Sequence, residues 1–503
     1  MTNLWAAGDQ HVYTKLNQMC IGTIKYNVRK NGTYYEAIDD ATKVLTFGGS
    51  SNAGSIVGTD AAAVLQAAMD NLTAGRTSME TIVTQGTLTF NDYLSIPSYT
   101  EIINRGKWLV GSPTDAANNY LIENSDQTSG NIDIRITGGV IDNNDVCGGI
   151  ANFEKVTNLT IDHIKFTQPT TTTKGTIDLA STNVVFAFNT LERIHILNAI
   201  DPAKHVKIVN NYMLDLYDSG VSVGSATATQ VEDVLIAGNS MDLDEQAVGF
   251  GVDVFGNIKD VVVRDNHING TYFDGIFIQA DGAETYSPEN VRVHDNFVYS
   301  PRNNRSNIKV NTAASGVVID NNYCYAPLAS YFGIQVYKGS NIKISKNTID
   351  GNDLGNGGIS VFADAVTVDS VNILDNTILN CTTGIHLVEA NCGTISHVNA
   401  FFNDVQDTTT KFTIAGCSPR LFANHGYVTE NSGSGTYSDG DNIPINLSIA
   451  PTSLALVCAN RIVNMGYTSA DASNINGVRL QDTTTGNPFV GTATVVWMAE
   501  YRP

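Results

Sequence analysis

From Val206 to Val405 one pattern of apolar and polar positions recurs. A short run with every second residue apolar ends in an asparagine, and after a turn a glycine or asparagine opens a second alternating run. VVVRDNHI, VRVHDNFV, VVIDNNYC, IKISKNTI and VNILDNTI are copies of it. The marking asparagines are Asn211, Asn239, Asn266, Asn296, Asn322, Asn347, Asn376 and Asn403, at steps of 25 to 30 residues. Alternation with a period of two is the mark of strands with one buried face, and the 3.6-residue stripe of a helix is missing from these runs. Two or three strands inside a near-constant step predict one rung of a parallel β-solenoid per repeat. The expected fold is all-β, a right-handed parallel β-helix.

The asparagines fit that geometry. A tight bend inside a rung calls for a residue that tolerates left-handed backbone angles, which asparagine does, and its amide can bond the equivalent amide one rung away. Each marker is therefore expected to be a turn residue in a ladder rather than a catalytic group. In Val291-Arg292-Val293-His294 the valines should point into the cylinder and the polar side chains out of it.

The ends depart from the repeat. In GTDAAAVLQAAMDNL, Ala61 to Met69 carry a helical period, with Thr59 or Asp60 as N-cap. A helix there would cover the open end of the solenoid, which otherwise exposes apolar core and strand edges. Residues 1–55 read as a small N-terminal adaptor, 56–425 as the β-helix, and 426–503 as antiparallel strands with Gly and Asp turns, a separate β-sandwich.

Composition narrows the function. With 42% hydrophobic and 16% charged residues in 503, the chain can bury a long core, and no run approaches the ~18 apolar residues of a membrane span. MTNLWAAGDQHVYTKLNQMC lacks a basic segment followed by an apolar one, so no Sec-type signal peptide is expected. The seven cysteines are scattered without C-x-x-C spacing and read as buried free thiols, not a zinc site. A net charge of −21 argues against nucleic acid, which demands a basic face. The acidity is uneven. Glu232 to Glu284 hold eleven carboxylates against Lys259 and Arg264, whereas Glu289 to Lys346 hold three against seven cations. This is either surface scatter or a groove acidic at one end and basic at the other, which would suit an acidic sugar chain.

Aligning the second strand of each rung gives one outward column of Ser222, Asp253, Phe277, Lys309, Gln335, Ser360 and His386, and a second of Gly224, Phe255, Gln279, Asn311, Tyr337, Phe362 and Val388. At ~4.8 Å per rung these form a surface of carboxylate, aromatic, cation and amide, fit for sugars or for a neighbouring chain in a trimer. Asp242, Asp244 and Glu245 precede the rung of Asp253; Asp274 begins the next rung, and Asp281 and Glu284 end it. Carboxylates one or two rungs apart can reach the ~5 and ~9.5 Å separations of retaining and inverting glycosidases. Asp253 and Asp281 are the leading catalytic candidates, with Asp274 and Glu284 in reserve. Phe255, Phe277, Gln279, Arg305, Lys309, Gln335, Tyr337 and His386 are the candidate substrate-binding residues.

GTDAAAVLQAAMDNL leading into LTFNDYLSIPSYTEIINRGKWLV resembles the opening of the pectate lyase superfamily β-helices of bacteriophage tailspikes and capsule depolymerases, and the Asn-marked rungs resemble the same superfamily. GTYSDGDNIPINLSI and TATVVWMAEYRP are similar to terminal modules of phage tail proteins that trimerise or touch glycan. The resemblance implies a homotrimeric depolymerase on a virion tail, acting outside the cell on capsule or O-antigen polysaccharide, with other tail proteins as partners. Hydrolysis by paired carboxylates would need no cofactor. A lyase, the alternative, would hold Ca²⁺ in the acid cluster and use Arg305, Lys309 or Tyr337 as base; a non-catalytic adhesin would only bind. Asn307 to Val310 and Phe273 to Phe277 resemble the R-I-K and N-T-D-G elements of polygalacturonase-like hydrolases, implying roles for Lys309 and Asp274, but the paired Asp-Asp and Gly-His-Gly elements of those enzymes are missing.

Overall fold

The computed structural model describes residues 23–113, 119–243, 249–299, 305–325, 331–352, 357–417, 419–422 and 424, and a set of strands between 430 and 500. The first 22 residues of the expected adaptor, together with Asp244 and Glu245, lie outside the described residues. The described chain is mostly β, a β-solenoid with a single helix. It divides into two compact units, residues 1–292 with 301–303, and residues 293–300 with 304–503.

In the first unit the alternating runs stack in parallel and in register. Val206, Val234 and Val261 form one interior column, Val221, Val252 and Ile276 a second, and Met213, Met241 and Ile268 a third. All nine are fully buried. Each rung thus presents three short faces to one core, which only stacking can close. The helix Ala61–Asp70 forms as its pattern predicts, with the Asp60 carboxylate accepting from the amides of Ala62 and Ala63 at 2.9 and 3.2 Å. Its Ala, Val, Leu and Met face is buried, and Gln66 exchanges hydrogen bonds with the backbone of Ser95. Ahead of it, Thr23–Asn31 pairs antiparallel with Tyr34–Asp39 and parallel with Glu80–Gln85, so this segment joins the ladder of the solenoid.

The asparagine ladder is present, with one correction to its cause. In the first unit the amide N of Asn211 and its side-chain Nδ2 both donate to Oδ1 of Asn239, at 2.9 and 3.0 Å, and Asn239 does the same to Asn266. The ladder starts a rung earlier than the repeat predicts, since the amide of Asn189 donates to Asn211. The left-handed residue is not the ladder asparagine but the one before it: Phe188, Asn210, Gly238 and Asp265 have φ between 55° and 65°. Turning the chain and bonding the next rung are tasks of two adjacent residues.

The second unit repeats this logic. Ile308, Ile334, Ile359, Ile385 and Phe412 stack in one column, and Cys324, Ile349, Ile378 and Val405 in another. Its ladder runs from Asn296 through Asn322, Asn347, Asn376 and Asn403 to Asn424. One expected column fails here. A register shift after Val310 sets Asn311 opposite Lys338, so Tyr337 is the extra residue of a bulge rather than its partner. Beyond Phe422 the strands turn antiparallel, Thr492–Glu500 lying between Glu430–Ser438 and Ser453–Cys458. Among the described cysteines Cys147, Cys324 and Cys381 are buried free thiols, but Cys392 is exposed in a turn and Cys417 is half-buried.

Candidate functional site

Seven strands of the first unit carry the outward column: Tyr120–Asn124, Gly149–Asp162, Thr176–Ala187, Leu197–Ile200, Val221–Ser225, Val252–Gly256 and Ile276–Gln279. In register it reads Glu123, Asn152, Asp178, Asn198, Ser222, Asp253 and Phe277. The last three are the ones sequence alignment finds. The first four escape it because they lie ahead of Val206, where the repeat is read, and because Gly149 and Gly175 stand one place earlier than the aligning glycine of the later rungs, while Leu197 follows Ile196 directly. The alternation of Ile122, Ala151, Ile177 and Leu197 on the buried side was the signal that could have found them.

Asp253 is the most perturbed carboxyl of this face. It points outward between the buried Val252 and Val254, yet its neighbours leave it only 9% exposed. Burial pushes its pKa up to about 7, and the nearby charge of Asp218 adds to the rise. Hydrogen bonds from Gln279 and Ser222 pull the other way, Gln279 Nε2 donating to Oδ1 at 2.8 Å. A carboxyl with that pKa is partly protonated near neutral pH and can give its proton to a substrate oxygen.

Around it stands a polar cluster. Asp218 Oδ2 lies 3.8 Å from His195 Nε2, and His195 Nδ1 lies 3.0 Å from Thr176 Oγ1. Burial holds His195 below the usual histidine range, against the charges of Asp218 and Asp178. Asp178 accepts from the hydroxyl of Tyr120 and, at 2.7 Å, from Asn198 Nδ2. Burial, and then the bond to Asp178, drive the Tyr120 hydroxyl far above the ordinary tyrosine value. Tyr120 reaches Asp178 by laying its ring across Gly149, where a Cβ would stand 1.9 Å from the ring. Burial and the charge of Glu154 raise Glu123.

Aromatic rings flank Asp253 on the other side. Phe277, next in its column, stacks on Phe250 with centroids 4.6 Å apart, Phe250 meets Phe273 at 5.4 Å, and Tyr272 stands edge-on to Phe273 at 5.0 Å. Phe255 is half-exposed beside Gln279.

The other acidic candidates hold different places. Asp281 shapes its own loop, its Oδ1 accepting from the amide of Tyr286 at 2.7 Å. It sits over Gly256, 3.3 Å from where a Cβ would stand, and so three residues along from Asp253 rather than beside it. Asp274 is buried at the turn into Gly275, and its backbone carbonyl accepts from the amide of Gly251 at 3.4 Å. Glu284 is exposed, with φ 54° in the turn after Asp281.

The remaining candidates belong to the second unit. Lys309, Gln335, Ser360 and His386 are in register there. The buried hydroxyl of Ser360 lies 3.2 Å from His386 Nδ1, and the rings of Phe332 and Phe362 lie 5.2 and 6.2 Å from that imidazole. Burial lowers the pKa of His386. Tyr337 donates its hydroxyl to the carbonyl of Asp364 at 3.3 Å, Ser306 donates to Gln335 Oε1 at 3.5 Å, and Arg305 is half-buried ahead of the strand. The candidate carboxylates and the candidate cations Arg305 and Lys309 thus belong to different units. Among the described residues, no three His, Cys, Asp or Glu side chains are grouped to hold a metal ion.

Comparison with known proteins bears on the fold. Residues 257–443 match the family described as right handed beta helix region. No curated protein matches the sequence. Among solved structures, PfbA, a surface adhesin of Streptococcus pneumoniae, superposes with a TM-score of 0.50 at 14% identity, over 66% of this chain and 90% of that one. The A-module of the Azotobacter vinelandii mannuronan C-5 epimerase AlgE6 gives a TM-score of 0.49 at 13% identity, over 73% and 95%. The tailspike protein of E. coli bacteriophage HK620 in complex with pentasaccharide gives 0.43 at 11% identity, over 94% and 98%. By fold the chain is a right-handed β-helix protein.

Proposed function

We propose that the outer column of the first unit hydrolyses glycosidic bonds of a bacterial surface polysaccharide. The observation that carries this reading is Asp253, a carboxyl buried on the outer face of the solenoid and held at about 7 beside a second carboxylate, Asp218. Two carboxyl groups in unlike surroundings can divide acid and base work. Asp253 gives its proton to the glycosidic oxygen as the C–O bond breaks. Asp218, the more exposed of the two, takes a proton from the water that adds to the sugar carbon. Gln279 fixes the Asp253 carboxyl, while Tyr272, Phe273 and Phe255 offer apolar faces to the C–H patches of a sugar. Action as a homotrimer on a virion tail is the setting that the sequence resemblance implies.

A screen of purified capsular and O-antigen polysaccharides, with mass spectrometry of the products, tests the proposal. New reducing ends from the native chain, lost in Asp253→Asn with glycan binding retained, are the expected result. Unsaturated products that absorb in the ultraviolet would identify a lyase instead. Binding without any cleavage would make the protein an adhesin.

A further inference from the structure

We infer that the outer face of the first unit around Asp253 selects an uncharged glycan and rejects chains that carry uronate or other anionic substituents. This rests on the hydrolytic reading of the same site and narrows its substrate. One of the two readings of the charge pattern, with its block of cations after Glu289, is a groove for an acidic sugar chain. Within the first unit the lining is of another kind.

The column around Asp253 reads Glu123, Asn152, Asp178, Asn198, Ser222, Asp253 and Phe277. Two residues further along the same strands, Glu154 faces Ala180, and Ile200, Gly224, Phe255 and Gln279 follow one another in register. Neither column contains a lysine or arginine. The cations flanking these columns are bonded elsewhere: Lys155 donates to the carbonyl of Thr128 at 3.0 Å, Lys174 to the carbonyl of Asp145 at 2.6 Å, Arg193 to the carbonyl of Pro169 at 3.2 Å, and Lys204 pairs with Glu232. The turn before Val221 adds a further carboxylate, Asp218.

A sugar carboxylate lying along this surface would face Glu123, Asp178 and Asp253, two and three rungs apart in one column at ~4.8 Å per rung, with no guanidinium or ammonium in either column to meet it. At an effective dielectric of ~20 to 80, one like charge ~10 Å away opposes binding by up to tenfold or so, and several act together. An uncharged sugar meets a different surface. Asn152, Asn198 and Gln279 offer amide donors and acceptors to hydroxyls, and the half-exposed Phe255 offers an apolar patch that favours N-acetyl or methyl substituents.

The test uses bacterial polysaccharides that contain uronate, each paired with its own carboxyl-reduced form, so that only the charge differs. Binding is measured by calorimetry on full-length protein carrying Asp253→Asn. The reduced form of at least one pair is expected to bind tenfold or more tighter than the native form, and the gap should shrink in about 0.5 M salt. Asp178→Asn should narrow the gap severalfold; Glu123→Gln, at a less buried position, serves the same purpose if the first variant does not fold. Equal or tighter binding of the native acidic form overturns the inference and leaves the hydrolytic reading standing. If neither form of any pair binds, the glycan reading falls, and this inference with it.

Discussion

Gln279 donates to Asp253 from the next rung, its Nε2 lying 2.8 Å from Oδ1. The pair works through the stacking: Asp253 faces Phe277, and Gln279, two residues beyond, faces Phe255. This bond stabilises the ionised carboxylate against the burial that raises its pKa. Replacing Gln279 by Met should therefore raise that pKa further and move the basic limb of the pH–rate profile to higher pH. A profile that stays in place would separate Asp253 from the rate-limiting protonation.

Asp253→Asn should reduce turnover by ~10²- to 10⁴-fold, as for loss of a general acid. The same variant tests the buried charge through stability. Because the folded-state pKa is raised from 3.8 to about 7, the native state binds the extra proton between those values. Stability of the wild type should fall as pH rises through that window, by on the order of 4 kcal/mol in total. The variant should lack this slope, so unfolding midpoints measured from pH 4 to 8 should diverge in its favour towards the alkaline end.

Asn239→Ala removes the Oδ1 that accepts from both donors of Asn211, and these are buried. Two unsatisfied donors at ~1 to 3 kcal/mol each predict a loss of ~2 to 6 kcal/mol, readable as a drop in the denaturant midpoint. Asn239→Asp should cost at least as much, because the nitrogen it loses donates to the carbonyl of Ile208 and to Asn266 Oδ1, and a buried carboxylate oxygen would face both instead.

The position before each ladder asparagine makes a contrasting prediction. Lys346 is exposed with φ 57° ahead of Asn347. Lys346→Gly should be neutral or mildly stabilising, whereas Lys346→Val should cost ~1 to 2 kcal/mol, because a branched side chain resists the left-handed region. Thermal unfolding of the two variants decides it.

Gly149→Ala should displace the Tyr120 ring from Asp178, since the added methyl would overlap the ring. The expected cost is ~1 to 3 kcal/mol of stability, together with weaker glycan binding. Tyr120→Phe, which keeps the ring and loses the hydroxyl, separates the packing from the hydrogen bond.

The repeat itself was legible because stacking imposes one register on every rung, and the alternation of Val and Ile with polar residues survives in each copy. The helix was legible from its period and from Asp60. What escaped depends on unequal rungs. His195 and Asp218 meet although nothing in their spacing marks them as neighbours, because the rungs here are unequal, with 20 residues from Ile177 to Leu197, 24 from Leu197 to Val221 and 31 from Val221 to Val252. The bulge at Tyr337 inserts one residue without disturbing the alternation around it, so the column appeared continuous in the sequence. The assignment of the left-handed angle to the wrong member of each pair, Asn239 rather than Gly238, reflects that asparagine suits both tasks and only coordinates distinguish them.

The asparagine ladder also has a direction. Each rung donates its amide and its side-chain nitrogen to the oxygen of the rung that follows, so Asn211 depends on Asn239, 28 residues later in the chain. On a ribosome the earlier turn is made first; its side-chain nitrogen already has the carbonyl of Phe186, but its main-chain amide must wait in water until the next turn has emerged. Closure of the solenoid therefore trails synthesis by one repeat, and the growing edge is always the unfinished one.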